Sequence, residues 1–520
     1  MPPDARLEGD VCIAGAGPAG LSLALTLARA GRRVLLLESG RFEAEATIDD
    51  LNVFENAGAP LGSLSLRDRR FGGTGWYGRI LPMDAIDLEE RAWADSPGWP
   101  VPFAGIERYY REAARFLGFE RPEALDGAWW RGDAAARALD GDGITPSLHL
   151  IARSKDLGAR YRRAVESEAR LTAVIDATVT VIEVDESGSR VTGLRAAAAG
   201  GEPVLPARAG RYVLAGGGLE NARLLLLLSG DRPGVLGPSE AVLGRGYINH
   251  PRSEGVGRLY LDPAHADFAA LYRGLVEHTS RRSRCSVQIA AALDPAVQRA
   301  ERLLNASAFF YPASDPRLAR LREPLDRIRR SAEGLRFEPG DWSRIGQLAR
   351  NLPLLAGAAV ARMRQRPYRL DHLVVVDQLE QAPEPGSRLS LGAARDRLGR
   401  RRLRVEWRVD TRTRQTHRRF HELLAARIAA GGLGRLQSAL LEDPDFEPAY
   451  EDNAHPMGAT RMSRTAHDGV VDEDGRVHAL SNLYVAGSSV FPAGGQANPT
   501  LTIVALALRL ATHLLATDRR

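Results

Sequence analysis

The sequence predicts an α/β protein that carries a second, α+β domain built on an antiparallel sheet. Three observations predict it. A βαβ pattern opens almost at the first residue, long alternating strands appear beyond residue 250, and strand and helix return near the C-terminus. With 520 residues, the chain has room for two to four domains of about 150 residues each.

Composition narrows the class. Hydrophobic residues make up 44% and charged residues 26%, close to globular averages, which excludes a disordered chain, a collagen or a coiled coil. The only cysteines are Cys12 and Cys285, so no disulfide framework or cysteine-rich metal site can form. Free thiols fit a reducing compartment, and a cytoplasmic location is expected. The net charge is +5, and Lys155 is the only lysine among 70 basic residues. We read the arginine excess as genome composition. Nucleic-acid binding would want basic residues interleaved with aromatics, which are only 6% here, so no nucleic-acid partner is expected. The longest apolar runs, at 352–361 and 224–228, fall short of the ~20 residues of a membrane span, and the N-terminus shows no secretion signal.

The elements follow in order. Residues 10–14 read as a buried strand, 20–30 as a helix and 33–38 as a second strand, a Rossmann-like βαβ unit. Residues 60–100 are rich in Gly, Pro and Trp and read as loops, and 103–118 as a helix. Strands at 178–184 and 190–196 flank Asp185-Glu186-Ser187-Gly188-Ser189, a hairpin signal. A strand at 211–215 and a helix at 220–228 follow, then alternating strands at 255–261, 284–293, 305–311 and 373–380, and finally a strand at 483–486 and a helix at 500–515. Residues 316–370 hold 13 arginines against five acids, a balance of +8 that leaves −3 for the remainder. They read as amphipathic helices that could act as a lid or touch an acidic redox protein or an anionic membrane surface.

Three motifs carry chemistry. Gly15-Ala16-Gly17-Pro18-Ala19-Gly20 joins the first strand to the first helix. Its glycines allow the tight turn, the close approach of a pyrophosphate and helix–strand packing, and the helix N-terminus offers free N–H groups to phosphates. Glu38 ends the second strand, where it can accept hydrogen bonds from a ribose. The motif by itself does not separate NAD from FAD. Arg70-Phe71-Gly72-Gly73-Thr74-Gly75-Trp76 brings backbone close to something flat or bulky. The C-terminal block runs His455-Pro456-Met457-Gly458-Ala459-Thr460-Arg461-Met462, then NLYVAGSSVFP from Asn482, then Ala497-Asn498-Pro499-Thr500-Leu501-Thr502, which reads as a helix start.

Together these motifs resemble the glucose–methanol–choline (GMC) oxidoreductases, and the ANPTLT ending is most similar to pyranose oxidases and gluconate- or fructose-dehydrogenase-type members. The resemblance covers both ends of the chain. It implies a Rossmann-like FAD-binding domain of GMC type over 1–254 and 456–520, and an antiparallel substrate domain over 255–455 that includes the 316–370 insertion. It implies His455 and Asn498 as the catalytic pair. The cofactor-binding set it implies is Gly15, Ala16, Gly17, Pro18, Ala19, Gly20, Glu38, Ser39, Gly72, Gly73, Thr74, Trp76, Val179, Gly216, Gly487, Ser488, Pro499 and Thr500. Some relatives attach FAD to a histidine in the 72–76 loop. No histidine precedes His149 here, so the FAD is expected to be non-covalent. Only one residue separates Thr74 from Trp76, where relatives usually have more.

The chemistry fits the pair. Oxidising an alcohol needs a base for the hydroxyl proton and a hydride acceptor, and a histidine beside an amide supplies the first. The expected substrate is a sugar, polyol or glycoside, with oxygen, a quinone or a redox protein as electron acceptor. The alternatives are a flavin-dependent lyase or decarboxylase on the same fold, a nicotinamide dehydrogenase, or a non-catalytic binding protein. His417 and His421 are spaced i, i+4, but no third ligand is evident, so no metal site is expected. Asn249-His250-Pro251 matches a recurrent turn of the family and reads as structural.

Overall fold

The structure, a computed structural model, describes residues 7–43, 50–62, 69–73, 78–127, 129–204, 206–313, 318, 320–321, 324–325, 328, 339–363 and 370–517. Two sheets organise it. In the first, the strand Leu7–Ala14 lies between Val34–Leu37 and Ala207–Leu214, parallel to both. Leu171–Val174 extends one edge, and Leu483–Val485 joins Ala207–Leu214 in parallel. Parallel strands need both faces covered, which explains the unbroken apolar run Val11–Ala14. The hairpin Thr178–Val184 with Val191–Ala197 is present, its turn closed by Asp185 accepting from the Ser189 and Arg190 amides. Buried Cys12 lies in this core, where burial pushes its thiol pKa up to about 12.

The second sheet has nine strands and is antiparallel. Its main path runs Gly434–Ser438, Pro251–Leu261, Leu373–Leu379, Ala306–Pro312, Ser286–Leu293, Ile144–Ile151 and Arg79–Ile80. This corrects the division at residue 254: Arg79–Ile80 and Ile144–Ile151 lie N-terminal to that point yet belong to the antiparallel sheet. Ile144–Ile151 escapes a sequence reading because Pro146 interrupts its alternation, a residue that argues against a central strand. Here Ser286–Leu293 pairs along its whole length on one side, whereas Arg79–Ile80 covers only Leu150 and Ile151 on the other. Two further strands, Arg388–Arg395 and Arg401–Glu406, and the long helix Thr411–Ala430 were also not foreseen. The strands carry five arginines between them, which hides their alternation.

The C-terminal helix Thr500–Thr517 packs against Pro18–Arg29 and Phe103–Phe116, and the Tyr110 hydroxyl lies 3.2 Å from Thr502 Oγ1. Its mean hydropathy of 1.6 makes it long and apolar enough to cross a bilayer, which a count of unbroken apolar runs misses because threonines, Arg509 and His513 interrupt it. Half of the helix is buried inside the protein, and it packs on protein neighbours. In the insertion, Pro339–Arg350 and Leu352–Met363 are helices.

Candidate active site

The site grows from the first strand–helix junction. Gly15 has φ +107°, and a Cβ there would meet the Ala215 carbonyl at 2.5 Å. A Cβ on Gly20 would lie 1.8 Å from the Gly15 oxygen, so Gly20 serves helix packing and not the cleft. Gly17 is different: nothing lies within 4 Å of a Cβ there, and the helix it precedes has no side-chain cap. Open space beside uncapped N–H groups fits a pyrophosphate. The Glu38 carboxylate accepts from Ala16 N at 2.6 Å and from Gly40 N at 3.0 Å, which fixes the acid beside the turn. Ser39 Oγ accepts from Arg69 Nη1 at 2.9 Å, and Arg69 also pairs with Glu220 at 3.1 Å.

From here a single cleft runs past Gly15, Gly17, Pro18, Ala19, Glu38 and Ser39. It continues along Gly73, Val179 and Gly216 to Gly487, Ser488, His455, Asn498, Pro499 and Thr500. Ala16, Gly20 and Gly72 do not line it. Ala16 contributes its amide to Glu38, and a Cβ on Gly72 would strike Gly158 N at 2.1 Å, so Gly72 lets the loop pack on the helix Leu157–Ser167. Thr74 and Trp76 lie outside the described residues. The C-terminal block is joined to the cleft by Asn221, whose side chain accepts from Gly216 N at 2.7 Å and donates to Ala486 O at 3.0 Å, and by Ser488 Oγ donating to Pro456 O at 2.7 Å.

His455 Nε2 is 3.1 Å from Asn498 Nδ2, and His455 Nδ1 is 2.8 Å from His250 Nδ1. With the amide donating, Nε2 is an acceptor and carries no proton. The His455 proton is then on Nδ1 and donates to His250 Nδ1, so the His250 proton sits on Nε2, the nitrogen facing the Gly494–Gly495 backbone. Burial, and then the neighbouring His250, holds the His455 pKa well below the ordinary histidine value. Burial likewise pushes His250 down to about 4. Both rings are neutral at pH 7. His250 therefore does more than shape a turn. Its contact with His455 joins residues 205 positions apart, so nothing local in the sequence marks it.

A second cavity of about 440 Å³ adjoins the cleft, within the range of small-molecule sites. Arg79, His455 and Asn498 line both. The rest of its wall mixes polar side chains, among them Lys155, Arg252, Glu277, Tyr311, Asp377 and Asn453, with the apolar Ile151, Phe309 and Val376. Arg79 Nη2 donates to Gln288 Oε1 at 2.8 Å and to the Tyr311 hydroxyl at 3.3 Å, its guanidinium stacks over Phe309 at 4.7 Å, and it forms no ion pair with any described residue. Burial lowers its pKa. Behind the 494–498 loop, Glu380 binds Arg91 through both oxygens and accepts from Gly495 N, while Asn305 and Gln496 donate to Asp84. Burial raises Asp84, and raises Asp87 further. These buried groups hold the loop that presents Asn498. The structure also supplies a third candidate ligand beside His417 and His421: Asp377, from a distant strand, with the ligand atoms of all three within 4.8 Å of one another.

A cleft along the parallel sheet, entered by the glycine turn, meets the second cavity at a histidine–amide pair. Residues 8–46 match the FAD binding domain model and residues 383–507 the GMC oxidoreductase model, so the chain carries a flavin-binding N-terminus and a GMC oxidoreductase C-terminal region. It is similar to the fructose dehydrogenase large subunit of Gluconobacter japonicus, 25% identical over 444 residues, 80% of this chain and 67% of that one. A shorter stretch of 84 residues, 16% of each chain, is 39% identical to a C-glycoside 3-oxidase of Microbacterium trichothecenolyticum. In fold it is similar to formate oxidase, with a TM-score of 0.59 at 17% identity over 99% of both chains. It is also similar to a pyridoxine 4-oxidase from Mesorbium loti, with a TM-score of 0.54 at 17% identity over 98% of this chain and 99% of that one.

Proposed function

We propose that the chain oxidises a CH–OH group of a sugar, polyol or glycoside, with His455 as the base. The carrying observation is that His455 Nε2 lies 3.1 Å from Asn498 Nδ2 where cleft and cavity meet. The relatives named for fructose and C-glycoside oxidation, and the polar side chains in the cavity wall, support the substrate class. We assign the cleft, built from residues of 14–224 and 454–503, to FAD and the adjoining cavity to the substrate.

When bound, FAD supplies the hydride acceptor. The uncapped start of the helix Pro18–Arg29 and the open backbone at Gly17 would hold its pyrophosphate, Glu38 its ribose, and the start of the C-terminal helix at Pro499–Thr500 the ring's polar edge. His455 Nε2 takes the hydroxyl proton, and Asn498 Nδ2 donates to the same oxygen. His250 fixes the tautomer that leaves Nε2 free. Arg79 adds positive charge at the junction, which stabilises negative charge gathering on the reacting oxygen. His455 is the only histidine lining the described cleft, and both its nitrogens are engaged, which supports non-covalent FAD. Acid or heat should release the flavin into the supernatant, and flavin pelleting with the protein would refute this.

Anaerobic mixing with a panel of sugars, polyols and simple alcohols tests the reaction. Bleaching of the flavin absorbance by a member of the panel is expected, followed by recovery with oxygen or a quinone. A panel in which nothing bleaches the flavin would sink the proposal.

A further inference from the structure

We propose that Asp377, His417 and His421 form a binding site for a divalent first-row metal ion, with zinc(II) as the first candidate. The three side chains are fully buried. His417 and His421 stand one turn apart on Thr411–Ala430, and Asp377 faces them from the strand Leu373–Leu379. Two imidazoles and one carboxylate form a ligand set for zinc or other borderline divalent ions. The other ring nitrogens are held as such sites require: His417 Nδ1 lies 3.2 Å from the Tyr450 hydroxyl and His421 Nδ1 2.7 Å from Ser438 Oγ. Those partners orient both Nε2 atoms toward Asp377.

A metal-free hydrogen-bond network is the competing account, and it covers only half of the cluster. His417 Nε2 and Asp377 Oδ2 are 3.0 Å apart in hydrogen-bonding geometry. His421 Nε2 and Asp377 Oδ1 are 3.1 Å apart but outside that geometry, and neither atom has another hydrogen-bond partner. Without an ion, this second pair is held by electrostatic attraction at 3.1 Å and not by an aligned hydrogen bond. That separation and misalignment, with all three ligand atoms within 4.8 Å of one another, suit both atoms to one shared ion. Asp377 also lines the second cavity, which gives an ion a path inward.

The site would also tie the long helix to the active-site loop. Gln378, next to Asp377, donates to the Gln496 carbonyl two residues before Asn498. The inference stands independently of the reaction proposed above, because its readout is metal content.

Purified FAD-loaded protein is stripped with a chelator, incubated with zinc(II) or cobalt(II), desalted and assayed by plasma mass spectrometry. One equivalent per chain is expected, with cobalt giving ligand-field bands beyond the flavin absorption. His421→Gln and Asp377→Asn should lose the ion, while His467→Gln, at an exposed position, should keep it. Retained flavin colour reports that each variant is folded. Wild-type protein that takes up less than about a tenth of an equivalent, or folded variants that bind cobalt as it does, would overturn the site. If both ligand variants lose their flavin, Ser438→Ala decides: cobalt binding weakened about tenfold or more supports the site, and unchanged binding overturns it.

Discussion

At the residue scale, the proposed chemistry turns on the contact between His455 and His250. His455→Ala should leave FAD bound and slow anaerobic flavin reduction by about 10²-fold or more, the range for loss of a general base. Reduction at the wild-type rate would move the base elsewhere. Asn498→Ala should act more mildly, since it removes a hydrogen-bond donor and keeps the base. Because burial depresses the His455 pKa, the base is already free at pH 7 and remains so into the acid range. The reduction rate should therefore stay level as pH falls through 6.5 and drop only below it. His250→Gln tests the tautomer. It should lower kcat by about tenfold and move that acid limb, whereas a purely structural role would leave the limb in place. His455 and Asn498 were legible in the sequence because each sits in a contiguous motif. His250 and Arg79 were not, because their meaning lies in contacts with residues far along the chain: His250 touches His455, and Arg79 bonds to Gln288.

At the element scale, the βαβ unit, the hairpin and the C-terminal helix announced themselves, since each is a local apolar period closed by a turn or cap. The strand Ile144–Ile151 did not, because its partners Ser286–Leu293 and Arg79–Ile80 lie far away in sequence and decide its state against Pro146. The insertion is the element with most left to do. Its described helices expose Trp342 at 70%, Leu352 at 63% and Met363 at 77%, beside an arginine-rich sequence. Bulky apolar side chains next to positive charge suit contact with an acidic acceptor or an anionic surface. Such contact weakens as salt shortens the Debye length to ~3 Å at 1 M. Reoxidation by the physiological acceptor should then be salt-sensitive, while reduction by substrate should not. Equal salt dependence of both half-reactions, or none in either, would leave the insertion as a lid or a solvated excursion.

For the whole molecule, buried titratable groups make stability depend on pH. His250 titrates near 4 in the folded protein and near 6.5 when unfolded, so between those values the unfolded chain binds more protons. The stability is present above 6.5 and is lost as pH falls, by about 3 kcal/mol for this residue at pH 4. Buried His455 and His149 are depressed too and act in the same direction. Asp87, raised by burial, acts oppositely: its contribution is present below the ordinary carboxylate value and is lost as pH rises through its own. Thermal unfolding should therefore show a Tm that declines from pH 6.5 toward 4. A Tm flat over that window would mean that these histidines are not buried as described.

The sequence by itself determined the dinucleotide turn, the glycine loop and the histidine–amide block. In each the chemistry comes from backbone conformation and residue type within a few positions, which local composition records. Tertiary structure decided that His455 and Asn498 meet at 3.1 Å, that His250 lies 2.8 Å behind His455, and that Arg79 and Asp377 reach the second cavity. Those outcomes depend on packing between segments 43 to more than 200 residues apart. Burial of those segments sets distance, charge state and tautomer together, and no local pattern in the chain carries that information.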